Sequence, residues 1–222
     1  CNSPSMGAIV AKACSLLDDA GATSVEEGSS LQDEVEFREG LRVERGYLSS
    51  YFISDSKRQV CELIKPRVLV TDRRIESVEE VMPLLENLAK DKEPLLIIAE
   101  DVASEVLSTL VVNKLHGSLE VVATRAPSYG DNRKQILQDI AIATGATLIT
   151  PDLGKSLSDI RMSDLGSAER VVVDNDSTTL VTGAVYKTAI QERISAIRRT
   201  AETADSHVAR ALADARAKAL GG

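Results

Sequence analysis

Tryptophan is absent from this chain of 222 residues, and four Tyr and two Phe are its only aromatic residues. Histidine occurs twice, at His116 and His207, far apart and in no metal-ligand spacing such as H-E-x-x-H. The three cysteines, Cys1, Cys14 and Cys61, are too few and too widely spaced for a disulfide framework or for paired metal ligands. Buried or incidental thiols in a reducing compartment are the expectation. No apolar run approaches the roughly 20 residues that cross a bilayer. The chain opens on Cys1 with no charged and apolar leader, so no signal peptide is read and a preceding part is expected. An excess of basic charge is also lacking. The formal net charge is −8, with Lys and Arg scattered, which argues against a phosphate backbone as partner. No G-x-x-x-x-G-K-[ST] and no G-x-G-x-x-G after a strand is found, which removes the phosphate-cradling loops. "DNDST" at 174–178 lacks the glycine of a calcium loop and has Val185 where a bidentate Glu is required, so it reads as a plain turn.

What remains is an ordinary globular composition, 43% hydrophobic and 27% charged, enough to build a core. Residues 5–20 read as an amphipathic helix on Ile9, Val10, Ala13 and Leu16/Leu17, stopped by Gly21. A short strand in "ATSVEEG" and a half-buried strand in "LQDEVEFREG" follow. In the centre, apolar runs at 67–72, 94–101, 119–127 and 146–150 predict buried strands, and helical patterns fall at about 81–90, 103–115 and 132–144. That alternation predicts an α/β layer arrangement. Residues 169–183 predict a β-hairpin with Asp174-Asn175-Asp176 at its turn. The stretch 187–220 predicts a pair of amphipathic helices parted near Thr203–Ser206. "PSYGDNRK" (127–134) either meets an anion or places Asp131 as the cap of a helix starting near Asn132. Glu100 and Asp101 read as solvated turn residues in preference to a pair of carboxylates in a cleft.

Apolar residues exceed what a single helix stripe needs. "EVLSTLVVNKLHG" (105–117) carries Val106 and Leu110 on one face, Leu107 and Val111 beside it, and Val112 and Leu115 well round the cylinder. "EEVMPLLENLAK" (79–90) has a stripe of Val81, Leu84, Leu85 and Leu88 with Met82 at its side; Pro83 is tolerated only in a first turn, so the helix starts near Val81. "GYLSSYFISD" (46–55) concentrates Tyr47, Tyr51 and Phe52. Two readings stand on pattern alone. Either all these residues are core, or they floor a shallow groove between two parallel helices, since an exposed apolar patch usually marks a binding site.

The runs "REGLRVERGYLSSYFISD", "PLLIIAEDVASEVLSTLVVNKLHG", "APSYGDNRKQILQDIAIATGATLIT" and "LGSAERVVVDNDSTTLVTG" resemble the apical domain of the group I chaperonins, the GroEL family. The resemblance covers nearly the whole chain. It implies an apical-domain fold, layered β-sheets flanked by helices with a C-terminal helical pair, over residues 40–222. It implies an N-terminal helix-strand arm of the intermediate domain over 1–39, with Gly40 and Gly221 at the hinges. It further implies that the groove binds non-native polypeptides and the mobile loop of a co-chaperonin through Tyr47, Tyr51, Phe52, Met82, Leu85, Leu107, Val111 and Val112, with His116 at its end. On this resemblance the chain itself is no enzyme and holds no cofactor. The ATP- and Mg-binding domain and the catalytic aspartate lie outside it, and the whole protein works as a ring of subunits.

The sequence departs from the family where Met82 replaces a more usual Leu, Ser50 a Pro, His116 an Arg, Ser128-Tyr129 a Gly-Phe and Asn132 an Arg. "RVLVTD", "VVNKLHG" and "ILQDIAIATGA" resemble plastid alpha-type subunits most, implying the plastid stroma, with a bacterial paralogue in the cytoplasm as the alternative. A divergent paralogue that serves ring assembly as a scaffold, with little client binding, is the other function left open.

Overall fold

The computed structural model describes residues 40–151, 154, 156–204 and 206–221. The expected helix at 5–20, the two strands that follow it, Cys1, Cys14 and the arm 1–39 as a whole lie outside the described residues.

The apolar runs become the strands of a central sheet. β3 (Arg67–Val70), β5 (Leu95–Ala99) and β7 (Val121–Arg125) pair in parallel, and β8 (Gly166–Ser167) adds an antiparallel edge to β3, giving the order β7-β5-β3-β8. All five residues of β5 are buried. A strand covered on both faces has no polar side to present, which is why its sequence is a continuous apolar run rather than an alternation. The connections from β3 to β5 and from β5 to β7 carry α1 (Met82–Asp91) and α2 (Ser104–Leu115). Parallel crossovers are right-handed, so two in the same direction place α1 and α2 on one face, running parallel. Beside them β4 (Arg74–Ile75) and β6 (Asp101–Val102) form a small parallel pair. α3 (Gly130–Thr144) packs on β3 and β8 and covers the sheet from the other side.

A second, antiparallel sheet has the order β1-β10-β9-β2, from β1 (Leu41–Val43), β2 (Cys61–Ile64), β9 (Arg170–Val173) and β10 (Thr178–Val181). The hairpin expected at 169–183 is β9–β10. Its turn is closed by the Asp174 carboxylate, which accepts from Asp176 N at 2.7 Å, Ser177 N at 2.6 Å and Ser177 Oγ at 2.8 Å. Burial alone raises the pKa of this carboxyl, but those donors outweigh it and hold the group below the ordinary carboxylate range. α4 (Lys187–Thr203) and α5 (His207–Gly221) form the C-terminal pair, with the break where the sequence placed it. Among the described residues the fold is therefore α/β with layered sheets flanked by helices.

Two local expectations are corrected. Residues 146–150 make no strand, only a bridge between Ile149 and Thr71. Thr147 N is drawn to Asp164 O at 2.9 Å, out of line with the β3 ladder, and Pro151 follows. Asp131 does not cap a helix starting near Asn132. α3 starts at Gly130 with Tyr129 in the capping position, and Asp131 sits inside the first turn. Asn132 Nδ2 instead donates to Ser128 Oγ at 2.7 Å.

Candidate functional site

α2 answers the question its sequence raises. Val106 and Leu110 are wholly buried against the sheet. Leu107 and Val111, next round the helix, are half-buried and rest on the core. Val112 and Leu115 are 49% and 63% exposed. The surplus apolar residues thus leave the core and form a slope from its edge into solvent.

The neighbouring segments extend that slope. α2 touches the turn Ser50–Phe52 on one side and the turn Val78–Glu80, which leads into α1, on the other. In α1, Leu84, Leu85 and Leu88 are buried, while Met82 at its start is 38% exposed. The turn Val78–Glu80 that leads into α1 is capped by Glu80, whose carboxylate accepts from Glu76 N at 3.0 Å and from Ser77 N at 3.5 Å. In the Ser50–Phe52 turn, Tyr51 is 66% exposed and Phe52 is fully buried. Tyr47 is half-buried and held by a bridge to Thr124 on β7.

The structure therefore brings Tyr51, Met82, Leu107, Val111 and Val112 to an accessible or partly accessible surface around α2, with exposed His116 at its end. It does not bring Phe52 and Leu85 there. The Ser50–Phe52 turn is a 3₁₀ turn with about 120° between successive side chains, so Tyr51 and Phe52 cannot face the same way. Leu85 lies one turn from Leu88 on the stripe that faces the sheet. Both support the floor of the slope from below. Leu115, which the sequence reading left out of the binding set, is the most exposed apolar side chain of α2. Its position, well round from Val106 and Leu110, was the available sign. Of the two glycines expected at hinges, Gly40 has φ +123°, where a Cβ would strike the Leu180 carbonyl, and Gly221 closes α5.

Charge is kept off this surface by pairing beneath and beside it. The Lys114 side chain, 8% exposed, folds under α2 to Glu120 at 3.1 Å and lies 3.5 Å from Cys61 Sγ. Burial pushes the Cys61 thiol up, away from the reactive thiolate. Glu100 and Asp101 are not a free carboxylate pair. Glu100 binds Arg133 at 2.8 Å, and Arg133 also holds the buried Asp72 at 2.6 Å. Asp101 binds Arg125, which holds its carboxyl below the usual range. Among the described residues no group of three or more His, Cys, Asp or Glu could hold a metal ion. A cavity of about 440 Å³ between α4 and α5 is lined by Arg198, Ala201, Glu202, Arg210 and Asp214, with no nucleophile among them. No helix among the described residues is long and apolar enough to cross a membrane.

No protein-family model matches the chain. Among curated proteins it is 45% identical over 201 residues to chaperonin GroEL 1 of Synechococcus sp. (strain CC9605). That match covers 90% of this chain and 36% of the relative's length, so the chain spans little more than a third of the protein it resembles.

Proposed function

We propose that this chain, a fragment of a group I chaperonin, captures non-native polypeptides on the apolar slope around α2 and so assists protein folding. In this reading residues 40–222 are the apical, polypeptide-binding domain, and residues 1–39 belong to an arm of the intermediate domain. Gly40 and Gly221 mark the pivots. The parent ring would take ATP and Mg in a domain beyond this chain. The resemblance to plastid alpha-type subunits supports the plastid stroma as its compartment.

The observation that carries the proposal is the exposure of Tyr51, Met82, Val112 and Leu115 around α2, above a core that is otherwise packed. Fully burying one such side chain stabilises by roughly 1.5–3 kcal/mol. A client that covers several of them gains a few kcal/mol without any demand on its sequence, because apolar attraction is non-directional. A folded protein has hidden its own apolar groups and gains little. Met82 adds an unbranched, adaptable contact. One such surface binds weakly, and a ring of them holds a chain at several points at once, with avidity raising the affinity. The mobile loop of a co-chaperonin would compete for the same residues.

The test is a double variant, Val112→Glu with Leu115→Glu, against a permanently unfolded, reduced and alkylated protein as client. Both side chains are already in solvent, so the thermal transition should stay in place while client binding falls at least about tenfold, a loss of about 1.4 kcal/mol. Equal binding by a well-folded double variant would remove this surface from the function. Displacement of the bound client by a mobile-loop peptide would support the shared site.

A further inference from the structure

Resting on the reading that the slope around α2 captures non-native chains, we propose that it selects one class of client: extended segments in which apolar residues are flanked by Lys or Arg. The pairs that keep charge off the slope also use up its cations. Lys114 is turned under α2 to Glu120, and Arg74 and Arg125 share Asp101. What is left over is acidic. Residues 76–80, α1 and α2 together hold six acidic residues and two basic ones, Lys90 at the far end of α1 and Lys114. Glu76, Glu79, Glu86 and Glu105 are exposed and, among the described residues, none of them is in an ion pair. The other border of the slope, residues 46–53, carries no charge.

Three of these carboxylates lie at one end of the slope. Ala103 N donates to Ile75 O at 2.9 Å, which sets Glu76 beside the start of α2. Glu79 belongs to the turn that touches α2, and Glu105 lies in the first turn of α2. Glu86 stands one turn from the exposed Met82. The helix macrodipole favours acids in a first turn, which accounts for Glu79 and Glu105 but not for Glu86 in the middle of α1 or for Glu76 ahead of its turn. Val112 lies two turns after Glu105 and within about 20° of it round the helix. It is about 10 Å along the axis, and Leu115 is about 15 Å along. An extended client advances about 3.3 Å per residue, so its Lys or Arg meets the carboxylates about three to five positions from apolar residues seated on Val112 and Leu115. An equally apolar but acidic segment is repelled there and binds less well.

Three synthetic peptides test this, titrated into the full chain by fluorescence anisotropy at low salt. They share a pair of leucines and differ about four positions away, where one carries two lysines, one two glutamines and one two glutamates. The lysine peptide should bind at least about tenfold more tightly than the glutamate peptide, with the glutamine peptide between them. The spread should close at about 1 M salt, where the Debye length is about 3 Å. Glu79→Gln with Glu105→Gln should cut the lysine-to-glutamate affinity ratio at least about threefold. Glu76→Gln with Glu86→Gln, which leave the first turns untouched, should lower it too and give the same reading should the first pair loosen the helix starts. Equal binding of the three peptides, tighter binding of the glutamate peptide, or a ratio that neither pair of substitutions lowers would overturn the selectivity and leave capture itself in place. Failure of all three peptides to bind would remove the capture reading, and this inference with it.

Discussion

Asp139 should be the costliest single side chain to remove from the charged network of this protein. It sits on α3 at 3% exposure and accepts from two arginines on different helices. Arg193 Nε of α4 reaches Oδ1 at 2.7 Å. Arg216 of α5 binds both oxygens, Nε to Oδ2 at 2.6 Å and Nη2 to Oδ1 at 2.8 Å, and its third nitrogen reaches Gln135. The arginine side chains are themselves only 26% and 10% exposed. Asp139→Ala deletes the carboxylate that the two arginines share and leaves two guanidinium groups together, largely out of water. Removing one partner of a buried ion pair costs about 3–5 kcal/mol, whereas an exposed pair such as Arg58–Asp55 is screened by solvent and contributes little. Urea unfolding followed by circular dichroism should therefore show Asp139→Ala destabilised by at least about 3 kcal/mol, with Arg58→Ala close to the unmodified protein. Replacing the whole cluster by apolar residues, Asp139→Leu with Arg193→Met and Arg216→Met, should recover most of the loss, since the penalty comes from unpaired charge and not from absent attraction. An Asp139→Ala loss no greater than that of Arg58→Ala, or a triple variant as unstable as the single one, would refute this account.

Two further outcomes follow from the second sheet. A Cβ at Gly46 would run into the Asp174 and Asn175 carbonyls, where Tyr47 N donates to Asp174 O at 3.1 Å. Gly46→Ala should thus cost about 1–3 kcal/mol in urea unfolding and, by loosening the 47–52 segment, weaken client binding as well. The Asp174 carboxyl titrates below its unfolded value, so its contribution is present above about pH 4 and is lost as pH falls through the lower folded value. Asp174→Asn should be less stable than the unmodified protein at pH 7 by up to about 1 kcal/mol, the half-exposed site being screened by solvent, and the two stability curves should converge in acid. Parallel curves between pH 7 and 2 would contradict this.

The order of strands and helices was readable because each rests on a local pattern. β5 is a bare apolar run, β9–β10 carry a turn sequence between two β-branched segments, and the two C-terminal helices are separated by polar residues at the break. Residues 146–150 failed as a strand because an apolar run reports burial and not which hydrogen-bond partner it will meet. The candidate surface was legible only in part. Pattern gave the excess of apolar residues in 105–115, and resemblance gave their use, but neither could sort Phe52 from Tyr51 or Leu85 from Met82.

By itself the sequence determined that this is an acidic α/β protein, that Val106 and Leu110 belong to a core, and that residues beyond one stripe need another explanation. Periodicity fixes which side chains share a helix face, because the backbone repeat is the same everywhere. The tertiary structure alone decided which of those faces a neighbour covers. Phe52 and Leu85 went under the sheet-facing layer while Leu115, Val112 and Tyr51 stayed in water, because burial depends on what the rest of the chain brings alongside, and no single segment contains that information.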